Sequence, residues 1–432
     1  MLRKRIQLGL IHVAVAMTLV PINSTLNRVM IKELALSATL VAALASLPYL
    51  LSPIQVAIGS FSDRHPVLGF KRSPYILLGL LLCVFSVAVS PQVAFLMDSN
   101  FTLGLLVSLV AFGAWGMGFN LATVAYFSLA SELSGEKGRG RTIAIMFFMM
   151  ITSIIITAIL LSRMLDPYSP AVLIRAFQVV SLVALTLGLL GLVKLETRHA
   201  ASAEAEEYAW NTLFQAIWKN PQARLFFWYL IILLAALLGQ DVLLEPYAGE
   251  AFGMTVRETT RITAIWGVCV LAALLVAGFL ERRVAKKSIA HWGGLIALVG
   301  FLLILMSPFA GGISTFFLGV ISLGIGTGLA TVSNLSIMLD MTTVANVGLY
   351  IGAWGMANAI SRLFGSLLSG AVRDVVARIS GNPTAGYIVV FAILAGFLFI
   401  SLLVLRRVNI ESFREQADED ISMIERAAMA VD

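Results

Sequence analysis

The sequence predicts an all-α polytopic membrane protein: twelve transmembrane helices in two pseudo-symmetric halves of six. Three observations predict it. Hydrophobic residues make up 59% of the 432 residues and charged residues 12%, against about 25% charged in an ordinary soluble domain. Apolar runs long enough to cross about 30 Å of hydrocarbon, at about 1.5 Å per helical residue, recur along the whole chain. The pattern G-x-G-x-x-L-A-T-V occurs twice, from Gly116 and from Gly324, and an acid follows each at the same distance, Glu132 and Asp340. Residues 116 and 324, like 132 and 340, are 208 apart, nearly half the chain. The chain therefore reads as a tandem duplication, which in a membrane protein predicts a transporter-type fold with a cavity between the halves.

The first span, 6–28, follows the basic cluster Arg3, Lys4 and Arg5 and carries His12. It has no small-residue cleavage site and leads into further spans, so it reads as a retained helix rather than a signal peptide. The second, 38–60, contains Gln55 and runs into the loop G-S-F-S-D-R-H-P-V-L-G-F-K-R at 59–72. Spans at 74–97, 102–131, 142–162 and 171–193 complete a first half over residues 1–194, with Asn120 in the fourth span and Gln178 in the sixth. Residues 195–222 are the longest polar interruption, holding Glu196, Glu204, Glu206 and Glu207. Trp210, Leu213, Phe214, Ile217 and Trp218 follow at helical spacing, so this linker is expected to lay an amphipathic helix on the inner membrane surface. The second half, 223–405, holds spans at 225–245, 261–280, 289–309, 314–339, 347–370 and 385–405, with Asn334 in the tenth and Asn358 and Arg362 in the eleventh. Residues 406–432 form an acidic tail with Glu411, Glu415, Asp418, Glu419, Asp420 and Glu425.

Most Lys and Arg fall in the segments on the N-terminal side of the membrane, which puts both termini in the cytoplasm. The net charge of +6 follows from that asymmetry. Its basic residues are scattered over short loops, so it gives no argument for nucleic acid. Cys83 and Cys269 both fall mid-helix without metal or redox spacing. No phosphate loop, zinc-protease helix or nucleophile elbow occurs, so neither an enzyme nor a nucleotide-driven pump is expected.

Two charged constellations stand out. In the loop after the second span, Gly59, Asp63, Arg64, Gly69, Lys71 and Arg72 form an expected inner latch. Asp63 could cap a helix N-terminus or pair with Arg139 or Arg141 from the loop after the fourth span, holding one access state closed. The corresponding segment of the second half, G-F-L-E-R-R at 278–283, lacks the Asp. At the opposite face, aligning Glu33 with Glu250 sets Arg28 opposite Glu245. An outer gate is expected there, with Arg28 ion-paired to Glu245 or Asp241. Mid-membrane polar groups are few, and no proton relay of Asp, Glu or His is legible, which suits a hydrophobic cargo. The string GAWGM occurs at 113–117 and 352–356; small residues there, with Ser361, Gly365 and Ser369, read as a helix-packing face.

The run at 59–72 is similar to the loop pattern of the major facilitator superfamily. TLNRVMIKEL at 25–34, GSFSDRHPVLGFKRSPYI at 59–76 and QDVLLEPYAGEAFGM at 240–254 resemble the PucC-type family, the bacteriochlorophyll-delivery branch of that superfamily, and the likeness extends over residues 5–405. Matching positions are Asn27, Arg28, Glu33, Asp63, His65, Gly69, Arg72, Pro74, Asp241, Glu245, Pro246 and Glu250. The resemblance implies a non-enzymatic assembly factor that binds chlorophyll or bacteriochlorophyll and delivers it to light-harvesting antenna or reaction-centre subunits. It implies pigment-synthesis enzymes as further partners and a photosynthetic inner, intracytoplasmic or thylakoid membrane as the location. His12, the only histidine within a span, is then the candidate magnesium ligand, with Asn120 a weaker competitor. Trp115 and Trp354, on flat Gly/Ala surfaces, could bed a planar macrocycle. The fourth span is poorer in Thr than expected of purple-bacterial members, which leaves pigment type and antenna partner open. The alternative is a secondary transporter, proton-coupled or not, of a small amphipathic solute; a pigment-free scaffold on the same fold is the third reading.

Overall fold

A computed structural model of the chain describes residues 2–197, 220–341 and 347–409. The amphipathic stretch at 210–218 and the acidic tail beyond 409 lie outside the described residues. The helices, in chain order, are α1 (Leu2–Glu33), α2 in three pieces (Ala38–Ala45, Leu47–Leu50 and Ile54–Arg64), α3 (Ser73–Ser99), α4 (Phe101–Gly135), α5 (Gly138–Met164) and α6 (Pro170–Leu192). The second half holds α7 (Pro221–Gly239, resuming as Leu244–Phe252), α8 (Val256–Leu280), α9 (Lys286–Met306), α10 (Gly312–Asp340), α11 (Val347–Ser380) and α12 (Pro383–Arg407). Ten of these are long and apolar enough to cross a bilayer. The interrupted α2, and α11 with its internal Arg362, Arg373 and Asp374, complete two sets of six. Among the described residues there is no strand, only an isolated bridge between Val67 and Phe70 in the turn before α3. The molecule is an integral membrane protein built from multiple apolar helices, as its composition predicts.

Local chemistry sets the boundaries. Asn100, Ser169, Asn220 and Asn382 each accept a backbone N–H in the first turn of α4, α6, α7 and α12, and Thr255 with Glu258 forms a capping box on α8. Gly135, at φ +61°, takes the left-handed turn that separates α4 from α5. Inside α1, Pro21 has no N–H to donate, and the helix widens into π turns over Pro21–Leu26 and Val29–Glu33. The expected first span stops at 28; the helix runs on to Glu33, whose carboxylate pairs with the buried Arg28. The expected seventh span, 225–245, is in fact broken over 240–243.

The repeated motif is a packing device. A Cβ on Gly118 would stand 2.6 Å from the Gly79 carbonyl oxygen, and one on Gly326 would stand 2.6 Å from that of Gly293. Likewise a Cβ on Gly79 would stand 2.6 Å from the Ala122 nitrogen, and one on Gly293 would stand 2.7 Å from the Ala330 nitrogen. Thus α4 lies backbone-to-backbone on α3, and α10 on α9, through the same pair of small residues in each half. The first motif glycine faces a different neighbour: Gly116 meets Pro48 of α2, and Gly324 meets Trp266 and Cys269 of α8. The acids after the motif close the same helix pairs. Glu132 accepts from Arg72 at 2.9 Å at the start of α3, and Asp340 pairs with Lys286 at 2.7 Å at the start of α9.

Helix ends define two faces. The 1–2 face carries the α1–α2 and α7–α8 turns, and the 2–3 face carries the α2–α3 and α8–α9 turns.

Candidate functional site

Among contacts between described residues, every hydrogen bond and ion pair that joins the halves lies toward the 1–2 face. The widened end of α1 supplies one side of this seam. Ser24 donates to Glu245, which also accepts from Thr263 of α8, and Thr25 meets Thr260 at 3.1 Å. Arg28, 1% exposed, pairs with Glu33 one turn on and donates to the Met254 carbonyl at 2.9 Å across the seam. Lys32 donates to the Gly249 carbonyl. A Cβ on Gly249 would fall 3.2 Å from the Arg28 guanidinium, so glycine there lets the cation lie against the second half.

The expected pairing of Arg28 with Glu245 or Asp241 is corrected by this geometry. Arg28 takes Glu33; Glu245, 3% exposed, is held by two hydroxyls, and its second oxygen has no partner. Asp241 sits in the break of α7 and pairs at 3.1 Å with Arg362 of α11, which also donates to Tyr49 of α2 and lies over its ring. Glu250 pairs at 2.8 Å with Arg373, and Tyr387 donates to it. The reason is the break in α7: it turns Asp241 towards α11 and carries Glu245 and Glu250 into the bundle, where sequence spacing alone left them at a membrane surface.

Among the seam residues that sequence reasoning missed, one carboxylate stands out. Asp374 of α11 accepts from the backbone N–H groups of Ala38 and Thr39 at 3.1 and 2.8 Å, and from the hydroxyls of Ser37 and Thr39, both at 2.7 Å. The first turn of α2 is therefore capped by a carboxylate of the other half. Nearby, the Ala38 carbonyl oxygen would lie 2.7 Å from a Cβ on Gly370.

At the 2–3 face the described residues of the expected latch are placed as follows. Arg72 is buried, donates to Ser62 at 2.6 Å and pairs with Glu132. The N-terminus of α3 is capped by Glu196, which accepts from the backbone N–H groups of Lys71, Arg72 and Ser73. Glu196 reads as linker in the sequence, and only its position just past α6 hinted otherwise. Gly59 faces Val124, Gly69 takes a left-handed turn at φ +80°, and Arg64, Arg139 and Arg141 are exposed. The Asp63 side chain lies outside the described residues, so its expected pairing with Arg139 or Arg141 does too.

The pigment candidates divide. His12 is 4% exposed, with Nδ1 unpartnered, and is boxed by Tyr126, Phe127 and Phe147 at ring distances of 5.0, 5.5 and 5.3 Å. Of the three rings, Phe147 is 43% exposed. Trp115 points into the core and donates to Thr18 at 3.2 Å, so it offers no surface for a macrocycle. Asn120 is fully used, accepting from Gln55 and donating to the Pro48 and Gly116 carbonyls. Trp354 is half-buried beside Asn358, whose amide donates to its carbonyl. Ser361 donates to the Ile231 carbonyl and Gly365 abuts Gly239, so that face packs α11 on α7. Among the described residues no group of three His, Cys, Asp or Glu side chains could hold a metal ion.

Comparison with known proteins bears on this arrangement. A family model described as "PUCC protein" matches residues 25–413. "Protein PucC" of Cereibacter sphaeroides is 32% identical over 421 residues, covering 94% of this chain and 91% of its own. A protein of Rhodobacter capsulatus, from the puhA-bchM intergenic region and described as uncharacterized, is 31% identical, covering 94% and 88%. Another from that species, described as "Bacteriochlorophyll synthase 44.5 kDa chain", is 28% identical, covering 88% and 89%. Among solved structures, the nucleoside transporter NupG superposes with a TM-score of 0.71 at 16% identity, covering 94% of this chain and 98% of that one. That likeness is one of fold: the two-half, twelve-helix architecture is the major facilitator fold.

Proposed function

The chain belongs to the PUCC protein family, and from that premise we propose that it is a non-catalytic membrane assembly factor that binds chlorophyll or bacteriochlorophyll and delivers it to light-harvesting or reaction-centre polypeptides. The observation that carries the reading is the match across residues 25–413, which takes in both halves and all of the seam but Ser24. A relative described as a bacteriochlorophyll synthase chain supports the pigment as cargo. In this reading the protein sits in a photosynthetic membrane with both termini cytoplasmic, the 1–2 face outward, and antenna subunits and pigment-synthesis enzymes as partners. A macrocycle with a long tail gains mainly from apolar burial, at about 25 cal/mol per Å². An axial ligand such as His12 then tunes orientation more than affinity.

A second reading, a secondary transporter of a small amphipathic solute, draws support from one observation: the half-buried Asp241–Arg362–Tyr49 group sits where the two halves meet. One experiment separates the two. The full chain purified in mild detergent from a pigment-replete host should carry a visible absorption band. A colourless preparation that instead exchanges a radiolabelled solute across vesicles would favour the transporter.

A further inference from the structure

On the flank of the first half, α3, α4 and α6 leave a groove of about 540 Å³, within the range of small-molecule pockets, about 300–1,000 Å³. Its walls include Leu81, Phe85 and Ala88 of α3, Ala114 of α4, and Gln178 and Ser181 of α6. Phe85 is 71% exposed on a helix apolar enough to cross the bilayer, so the groove opens toward lipid. Ala114 belongs to the first GAWGM string. With Trp115 turned inward, its small neighbour is what hollows the surface.

Three polar residues sit in this otherwise apolar wall: Ser86 of α3, which is 3% exposed, and Ser181 and Gln178 of α6. Ser181 is the middle residue of α6, 6% exposed, and its hydroxyl has no partner. Gln178, one turn earlier, is exposed and makes no hydrogen bond among the described residues. Amide and hydroxyl donors at hydrocarbon depth find no water, and leaving them unpaired is costly. Their natural complement is an acceptor that dissolves in the bilayer without an unpaired donor of its own, which describes a carbonyl. A transmembrane helix meets the need poorly, because its backbone carbonyls are already spent within the helix.

We propose that this groove is a lateral binding site for a membrane-dissolved molecule with a flat carbonyl-bearing ring and a long hydrocarbon tail. The Gln178 amide donates to the ring carbonyl, with Ser181 as second donor. The ring lies over the hollow at Ala88 and Ala114, and the tail follows the leucine wall. Two sources share this chemistry, a tetrapyrrole pigment and a quinone; the tetrapyrrole form rests on the function proposed above.

The test uses the full chain in lipid nanodiscs, with bacteriochlorophyll a and ubiquinone-10 as separate probes. Ala114→Trp fills the hollow and should weaken binding at least tenfold without lowering thermal stability; Ala88→Trp, from the opposite wall, replaces it if that variant fails to fold. Gln178→Leu should leave the ring bound but shift its carbonyl stretch towards the unbonded frequency in vibrational difference spectra, and Gln178→Leu with Ser181→Ala should complete the shift. If bacteriochlorophyll binds equally to the filled and unfilled proteins, the groove is wrong while pigment binding stands. If only ubiquinone binds, and Ala114→Trp abolishes it, the groove stands and pigment delivery falls. Binding of neither probe, or efficient disulfide dimerisation of Gln178→Cys, overturns the proposal.

Discussion

At the scale of single residues, the seam is governed by which cation meets which carboxylate. Arg28 is nearly inaccessible and serves Glu33 and Met254 together. Arg28→Met should therefore loosen the 1–2 face by about 1–3 kcal/mol, read as faster maleimide labelling of a cysteine placed at Met254. A double-mutant cycle between Asp241→Asn and Arg362→Gln should return a coupling energy of about 0.5–3 kcal/mol. The Arg28 and Glu245 cycle should come out nearly additive; strong coupling there, with none between Asp241 and Arg362, would contradict the pairing described. Arg28, Glu33, Asp241 and Glu245 were legible in the sequence, because TLNRVMIKEL and QDVLLEPY single them out; Asp374 was not. Their partners were not, because a kink of a few residues at 240–243 redirects three carboxylates and leaves no mark in spacing. Gln178 was legible as a mid-membrane polar group, but that it faces outward is a property of the packed bundle alone.

At the scale of helices, the duplicated motif sets how closely α3 approaches α4 and α9 approaches α10. Gly118→Leu and Gly326→Leu each force bulk into a gap closed by backbone atoms, so each should destabilise by about 1–3 kcal/mol or more. Thermal unfolding in detergent would measure it, and an unchanged midpoint in both variants would show that the close approach is dispensable. The repeat itself was plain in the sequence, and its meaning follows from the small residues at 118 and 122 and at 326 and 330. The three pieces of α2 were harder to foresee. Pro48 and Pro53 mark its breaks, yet proline inside membrane helices is tolerated often enough that hydropathy reads through it. The cap that Glu196 provides for α3 was hidden by its place in a polar linker, since nothing local ties residue 196 to residue 72.

At the scale of the molecule, the halves are latched where α11 meets α2. Asp374→Ala removes every bond that this carboxylate makes to Ser37, Ala38 and Thr39. It should shift the equilibrium towards a state open at the 1–2 face by about 1–3 kcal/mol, five- to 150-fold in population. Maleimide labelling of a cysteine placed at Met254 should speed up accordingly; unchanged labelling would mean that apolar packing alone holds that face shut. Twelve helices in two related halves could be read from composition, run length and repeat because each reports on the bilayer or on ancestry. Which end of the seam closes is decided by contacts between residues 91 to 337 positions apart, and one-dimensional spacing does not encode them.

The carboxylate of Asp374 also makes the protein its own reporter. The amide protons of Ala38 and Thr39 are sheltered only while the two halves touch, so their exchange into deuterated solvent is a clock that runs whenever the seam parts. Peptide-level mass spectrometry across residues 38–45 would then time the opening in native membranes, with no dye, no introduced cysteine and no knowledge of the cargo.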